Sequence, residues 1–588
     1  MDREDGAQPR NFGRGFPRRN TEPDISTFFT NSTSLNKDEQ ISCIDREILR
    51  VEDSIVKLVL QRAFLKRRRN SFSPAVCLPP EVLALIFEFM CLPNGDGFND
   101  DSHIPDGKRL VGGVNLGLSV GTGAVTPLFL GSICSKWRHV SRGASQLWCT
   151  VIVHMDNRHA GAQAALLGSW LKQSAHRRLR VKLVEDDTND DDNDDDNWGI
   201  DVTPTAIIDI LASHSQQWHT IDFFLPSTWK HSLSRIQHHL PLLSSATLRF
   251  SEGSPTMARV DAFTLAPQLQ EVKLVGYSVA DVHLPWQQLQ RLDGEYFGLD
   301  ECLDTLRLGT ELRTCQFEQL YRGVQPFVAR SVRHEYLESL ELIMDTSHEL
   351  NALFGAMTLP NLKELVLSLS DEEPMLNPII PLIRRSACAL QMVHLVGVTP
   401  PEEDLIEFLK EVPFLKVLIL INPVTESGGK ITQWLLDLMD PMSRTNVAIP
   451  SASGDVEMDQ ESSSHAPCLV PMLEKLEYQG AVGFTLHAFV QFLVHRWQID
   501  VPNNTARQLG EPMRMKEGHV TRTTKGRFID GTIAESTSNQ TEPAASQLRS
   551  LILTTTKRMR FESADAKTIH GLIKDGMHLD FLDDPNAD

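Results

Sequence analysis

Leu362-Lys363-Glu364-Leu365-Val366-Leu367, Leu390-Gln391-Met392-Val393-His394-Leu395 and Leu415-Lys416-Val417-Leu418-Ile419-Leu420 share one pattern, with apolar side chains at the first, fourth and sixth places. Places four and six are two residues apart, so they lie on one face of an extended strand. The same unit recurs at Trp218, Ile221, Phe223; at Leu243, Ala246, Leu248; at Leu269, Val272, Leu274; at Leu312, Cys315, Phe317; and at Leu337, Leu340, Leu342. It returns at Leu473, Leu476, Tyr478 and at Leu548, Leu551, Leu553, with a truncated copy at Leu289 and Leu292. Successive first places are 20 to 28 residues apart, except for two gaps of 58 and 75 residues that mark insertions. A period in that range is the mark of a repeat architecture.

The unit that begins at Leu390 spells out the parts. Leu390 to Val396 alternates as a strand. Thr399 is placed to cap a helix, Pro400 to open it, and Glu402 to complete a Thr-x-x-Glu capping box. Leu405, Ile406, Leu409 and Val412 supply the helix's buried stripe, and Pro413 stops it before Leu415 starts the next strand. One such unit cannot cover its own apolar face, whereas a stack of them can, as a solenoid with a parallel sheet. This is a leucine-rich-repeat pattern. The Asn of regular ladders is missing, so irregular curvature is expected. A C-terminal cap is expected from a helix near Ala564 to Lys574 and a short strand around His578 to Leu582.

Polar segments interrupt the pattern. Glu185 to Asp196 carries nine carboxylates in twelve residues, without the alternation and glycine of a calcium loop, and reads as a self-repelling acidic loop over 185–197. A Ser- and acid-rich loop is expected over 443–466 and a polar insertion over 503–547; both offer phosphorylatable residues. Residues 1–37 have no periodicity and are expected to be disordered, and 583–588 are read as a tail.

Upstream of the repeats, Ile41, Ile44, Ile48, Val51, Ile55, Leu58 and Leu65 fall at heptad-compatible spacing, with Arg62 in the one gap. An amphipathic helix over 38–70 is expected. Its stripe suits either packing on its own neighbouring domain or a two-stranded coiled coil through 41–65; with about three heptads, the first is the expected use.

Bulk properties exclude several classes of function. The net charge of −20 argues against a nucleic-acid partner, because phosphates need a basic face. Lys66-Arg67-Arg68-Arg69 suits the C-terminal end of a helix, where cations are favoured, better than a nuclear address or an RNA contact. No stretch approaches the roughly 18 to 20 apolar residues of a membrane span. Met1 to Thr33 has no apolar signal-peptide core, so a cytoplasmic or nuclear location is expected. The nine cysteines include no Cys-x-x-Cys, so no metal site is expected, and the Asn-x-Thr sequons are expected to be idle. There is no Gly-x-Ser-x-Gly, His-Glu-x-x-His or Gly-x-x-x-x-Gly-Lys-Ser/Thr, so no catalytic residue and no cofactor are expected.

One segment between helix and repeats stands apart. Leu78-Pro79-Pro80-Glu81-Val82-Leu83-Ala84-Leu85-Ile86-Phe87 opens a helix, with two prolines at its start and a carboxylate in its first turn. Val82, Leu85, Ile86 and Phe89 make one face of it. Leu128 to Val140 reads as a further helix, with Leu130, Ile133, Cys134 and Trp137 on one face, followed by Leu147-Trp148.

Residues 71–150 resemble an F-box, in particular the F-box-like domains of the large fungal families. The resemblance rests on Leu78-Pro79-x-Glu81-Val82-Leu83-x-x-Ile86-Phe87, on Leu130 to Val140 with its Ile133-Cys134-Ser135-Lys136-Trp137 core, and on Leu147-Trp148. The helix upstream and the Ser169-Trp170-Leu171 to Leu183 phrase also look like those families. A loop insertion over 91–124 lengthens this domain beyond the family's usual size; loop closure tolerates it, since its cost grows only with the logarithm of length. The fold class implied is α+β/α/β: an N-terminal helix and a small all-helical F-box, then an irregular leucine-rich-repeat solenoid over 151–582.

By resemblance, an F-box docks on the Skp-type adaptor of a cullin-RING ubiquitin ligase. The contacts it implies are Leu78, Pro79, Glu81, Val82, Leu85, Ile86, Ile133, Cys134, Trp137, Leu147 and Trp148. The repeats would hold a target protein for ubiquitin transfer. A non-degradative scaffold is the alternative from the same parts, and an enzyme with an unrecognised site the alternative from another class.

Overall fold

The computed structural model describes residues 36–91, 118–119, 125–155, 159–184, 204–250, 259–321, 330–344, 350–369, 376–398, 400–421, 430–442, 468–498, 546–555 and 559–583. Apart from a residue or two at their margins, the segments 1–37, 185–197, 443–466, 503–547 and 583–588 lie outside these described residues, as does Thr399. The chain divides into two compact units, Met1–Phe87 with Pro127–Gly143, and Glu88–Thr126 with Ala144–Asp588.

The first unit is helical. Helix α1 spans Lys37–Asn70; the Glu39 carboxylate accepts the Asn36 backbone N–H at 3.1 Å at its start, and Arg67, Arg68 and Arg69 occupy its last turn. Both ends thus carry the charge that the helix dipole favours. None of its residues is buried, so the stripe expected to pack on a neighbouring domain is open. Helix α2 is one turn, Pro74–Cys77, and α3 runs Pro80–Cys91 with the Leu83 N–H donating to the Pro79 carbonyl.

In place of one helix over Leu128 to Val140 there are two, α4 (Pro127–Ile133) and α5 (Ser135–Gly143). The break has a local cause. The Ser132 hydroxyl donates to the Phe129 carbonyl, and Cys134 starts the new helix, accepting the Arg138 N–H on its carbonyl and the Trp137 N–H on its sulfur. The face expected to hold Leu130, Ile133, Cys134 and Trp137 together is therefore divided: Leu130 is buried and Ile133 exposed.

The second unit is a long parallel sheet with helical or irregular returns. Its 15 strands follow one another in chain order, and all pairs are parallel except the first. The strands are Leu118–Ser119, Thr150–His154, Leu179–Val184, Trp218–Phe224, Ser245–Arg249, Glu271–Val275, Arg291–Glu295, Thr314–Leu320, Ser339–Met344, Glu364–Leu369, Met392–Val396, Val417–Ile421, Lys475–Gln479, Ser550–Thr555 and His578–Asp583. Every apolar place of the repeat unit is at most 6% exposed, including the departures Ala246, Cys315 and Tyr478. Side chains between the buried places are half-exposed, Asp222 excepted, and the helices of the returns bury apolar stripes and pack on one another. This is a solenoid-like α/β stack with its core along one face of the sheet.

Two insertions leave no gap in it. Lys475–Gln479 pairs directly with Val417–Ile421, and Ser550–Thr555 with Lys475–Gln479. The buried Arg496 guanidinium donates to the Val470 and Pro471 carbonyls at 2.9 and 3.1 Å, and the Gln547 amide to the Trp497 carbonyl at 2.8 Å. The truncated copy is completed by another residue: Gly294 stands at its third apolar place, and the buried Phe297 ring fills the space, 2.9 Å from where a Cβ on Gly294 would lie.

The return helix Glu402–Glu411 begins at Glu402 itself, with Pro401 as its cap. Glu402 is therefore its first residue rather than the third that a capping box requires. Its carboxylate instead accepts the Thr432 N–H and hydroxyl, both at 2.7 Å, and so joins successive returns. Gly397 directly follows the strand before it, with φ +74° and a virtual Cβ 2.0 Å from the Leu369 carbonyl oxygen. Gly397→Ala should lower stability by at least about 2 kcal/mol, because backbone must move. Gly355→Ala, in an open helical position, should be neutral or raise stability by up to about 1 kcal/mol; differential scanning calorimetry of both checks this.

Candidate functional site

Helix α3 is apolar on both sides and uses each differently. Leu83 and Phe87 point into the helical unit and are buried; the Phe87 ring meets the Trp137 ring, with centroids 5.0 Å apart and planes at 59°. Leu130 and Val140 are buried in the same unit. The other side of α3 is open: Leu85 is 66% and Phe89 73% exposed, with Val82, Ile86 and Met90 also exposed. Leu128, Phe129 and Ile133 of α4 are exposed too. Isolated exposed apolar residues are ordinary, but Val82, Leu85 and Ile86 crowd one side of α3 as a candidate interaction face.

Beside this face stands the Leu78-Pro79 turn, with Leu78 half-buried and Pro79 exposed. Lys136 holds it: the ammonium donates to the carbonyls of Val76 and Leu78, at 2.6 and 2.8 Å. Those carbonyls end α2, where lysine is well placed to satisfy them. Arg138 Nε in turn donates to the Gly131 carbonyl at 2.8 Å, tying α5 to α4.

The expected contacts therefore separate into groups. Val82, Leu85 and Ile86 are exposed on α3 and Ile133 is exposed on α4, with Glu81 exposed in the first turn of α3. Cys134 and Trp137 are half-buried; Trp137 serves the core through Phe87, and its indole N–H is buried with no partner among the described residues. Leu147 and Trp148 fall in the second unit and are buried there. The Trp148 ring lies edge-on to Trp170 at 4.9 Å, and the Trp170 indole donates to the Trp148 carbonyl at 3.1 Å. Lys136 and the exposed Phe89, Leu128 and Phe129 were not among the expected contacts. The 3.6-residue period of α3 does carry Phe89, but Lys136 has no signal beyond its place between Cys134 and Trp137.

The second candidate surface is the open face of the sheet. At the N-terminal end of the face, Asp222 is nearly buried between two cations, with Arg249 Nε at 2.9 Å and Lys182 Nζ at 3.2 Å. Further along the same row come Asp293, Gln316 and Glu341, flanked by Glu295 and Glu318. Burial raises the Asp293 carboxyl above its ordinary range, against the pull of Arg291; burial, then Glu318 and Asp293, raise Glu341. After Glu341 the row runs through Val366, His394 and Ile419, beside Ile343, Val396 and Ile421, and reaches a carboxylate again at Glu477. Burial lowers the His394 pKa, which favours the neutral ring at pH 7.

Among the described residues, no three His, Cys, Asp or Glu side chains converge as ligands, and no helix is long and apolar enough to cross a membrane. The cleft lined by Leu225, Lys230, Arg259 and Asp261 has a volume of about 120 Å³, below the roughly 300 Å³ of a small-molecule site.

No protein-family model matches the chain, and no curated protein matches it. Among solved structures it is similar to a Bacteroides fragilis protein determined as a structural-genomics target, with 16% identity and a TM-score of 0.25 over 45% of this chain and 67% of that one. A likeness at this level leaves function to the chain's own residues.

If Lys136 fixes the Leu78-Pro79 turn, Lys136→Met should strand two carbonyls and weaken the helical unit by about 1–3 kcal/mol. Hydrogen exchange should show faster exchange in residues 74–90 and unchanged protection in the sheet.

Proposed function

We propose that this protein is the substrate-receptor subunit of a cullin-RING ubiquitin ligase: an F-box protein with leucine-rich repeats. The F-box would grip the Skp-type adaptor, and the repeats would hold a target protein. The chain itself catalyses nothing in this reading; it raises the effective concentration of a target lysine beside the ligase's ubiquitin-carrying partner. It works with no cofactor, in the cytoplasm or nucleus.

The observation that carries the reading is the division of labour on α3. Leu83 and Phe87 account for the core, so Val82, Leu85, Ile86 and Phe89 are left for a partner. Val82, Leu85 and Ile86 belong to the Leu78 to Phe87 motif that resembles an F-box, Phe89 follows two residues on in the same helix, and Lys136, from the second stretch of that resemblance, secures the turn that opens it. The open sheet face supports the second half. It is broad, half-exposed and chemically varied, as a protein-binding surface of a repeat stack is.

Wild-type chain should co-purify with a Skp-type adaptor. Leu85→Asp with Phe89→Asp should abolish capture, each truncating a contact expected to contribute about 2 kcal/mol or more. Both side chains are exposed, so the fold should survive, and unchanged circular dichroism checks that. Failure of folded wild-type chain to bind the adaptor sinks the proposal. In a reconstituted ligase, captured partners should gain ubiquitin; binding without ubiquitination would identify a scaffold instead.

A further inference from the structure

We propose that α1 is a self-association helix, which pairs antiparallel with α1 of a second copy of this chain. The proposal is independent of the adaptor reading and uses other residues.

The stripe from Ile41 to Leu65 repeats at alternating steps of three and four, and its apolar members are 48% to 64% exposed. Solvent-exposed apolar residues at that period are costly in a lone helix and stabilising in a coiled coil. The charge along the helix says which helix covers them. Residues 37–53 hold six acids and three bases, net −3, while residues 54–70 hold six bases and no acid, net +6. A parallel pair would set acid on acid and base on base. An antiparallel pair sets each half on its opposite, and both helices do so at once because the two are identical.

The stripe fits the same geometry. With the twofold axis near residue 53, Ile41 faces Leu65, Ile44 faces Arg62, Ile48 faces Leu58 and Val51 faces Ile55. Each pair joins a first heptad place to a fourth, as two antiparallel helices require. The lone polar member is accommodated too. The aliphatic stem of Arg62 stays in the stripe while its head reaches the acids beside Ile44, Asp45 and Glu47. A stripe of 25 residues with its register set by charge is long enough for a short antiparallel coil.

Sedimentation equilibrium of the full chain should show a dimer that weakens at least about tenfold from low to high salt, since surface charges are screened. Ile48→Asp with Ile55→Asp should be monomeric. So should a chain with Lys66→Glu, Arg67→Glu and Arg68→Glu, whose stripe is intact, and mixing it with a chain carrying Asp38→Lys and Glu39→Lys, the acids that face Arg68 and Arg67 in this register, should restore a dimer. Orientation is read from spin labels on the exposed Cys43, with Cys77→Ser removing the other exposed thiol. Antiparallel pairing sets the two labels about 30 Å apart along the axis, parallel pairing about 10–15 Å. A chain that stays monomeric throughout, a dimer indifferent to these substitutions, or the short label distance would each overturn the proposal.

Discussion

A parallel strand exposes hydrogen-bonding groups on both edges and side chains on both faces, and the second unit meets both demands with register. Leu340, Leu365, Val393, Leu418, Leu476 and Leu551 stand side by side across six strands, and Leu342, Leu367, Leu395, Leu420, Tyr478 and Leu553 form the next row. A slip of one residue at any strand would send its buried row to solvent. Burying a side chain of this size stabilises by about 1.5–3 kcal/mol, so the register is strongly held wherever two such rows meet. All else in the stack is subordinate to this. Returns vary from helices to irregular segments, and insertions of dozens of residues are absorbed, because none of them touches the register.

The same alternation releases the opposite face. Side chains between the buried places answer to no core, so they are free to run from the Asp222 cation pair through carboxylates to aliphatics. Helix α3 follows a comparable rule at smaller scale. Leu83 and Phe87 are buried, Phe87 against Trp137, while Val82, Leu85, Ile86 and Phe89 stay outside. In both units one set of side chains maintains the fold while a geometrically opposed set is available for partners.

Much of this was legible in the sequence. The spacing of Leu, Val and Ile located eleven strands of the sheet, because burial at alternate places leaves a period that composition cannot hide. Thr150–His154 and Leu179–Val184 precede the first recognised copy and carry too few leucines to advertise it. The break at Cys134 escaped because helical periodicity continues across it, while a hydroxyl and a thiol locally outcompete the helix ladder. Glu402 was misassigned to a capping box for a related reason: its partner, Thr432, comes from a different return. At the candidate site the apolar anchors were readable, but which face of α3 turns inward was not, since Leu83 and Leu85 are equally apolar. That choice belongs to the packing of Phe87 on Trp137.

The antiparallel pairing of Leu118–Ser119 with Thr150–His154 has a consequence beyond its two residues. A long stack of parallel strands ends in open edges, and an open edge is a template on which another chain can add strands. Reversing direction at the first edge, with a strand only two residues long, offers an arriving parallel strand little to extend. At the opposite edge His578–Asp583 carries the exposed Asp580, whose charge opposes a second acidic edge. Among the described residues, both ends of the stack thus carry features that discourage the addition of a further strand.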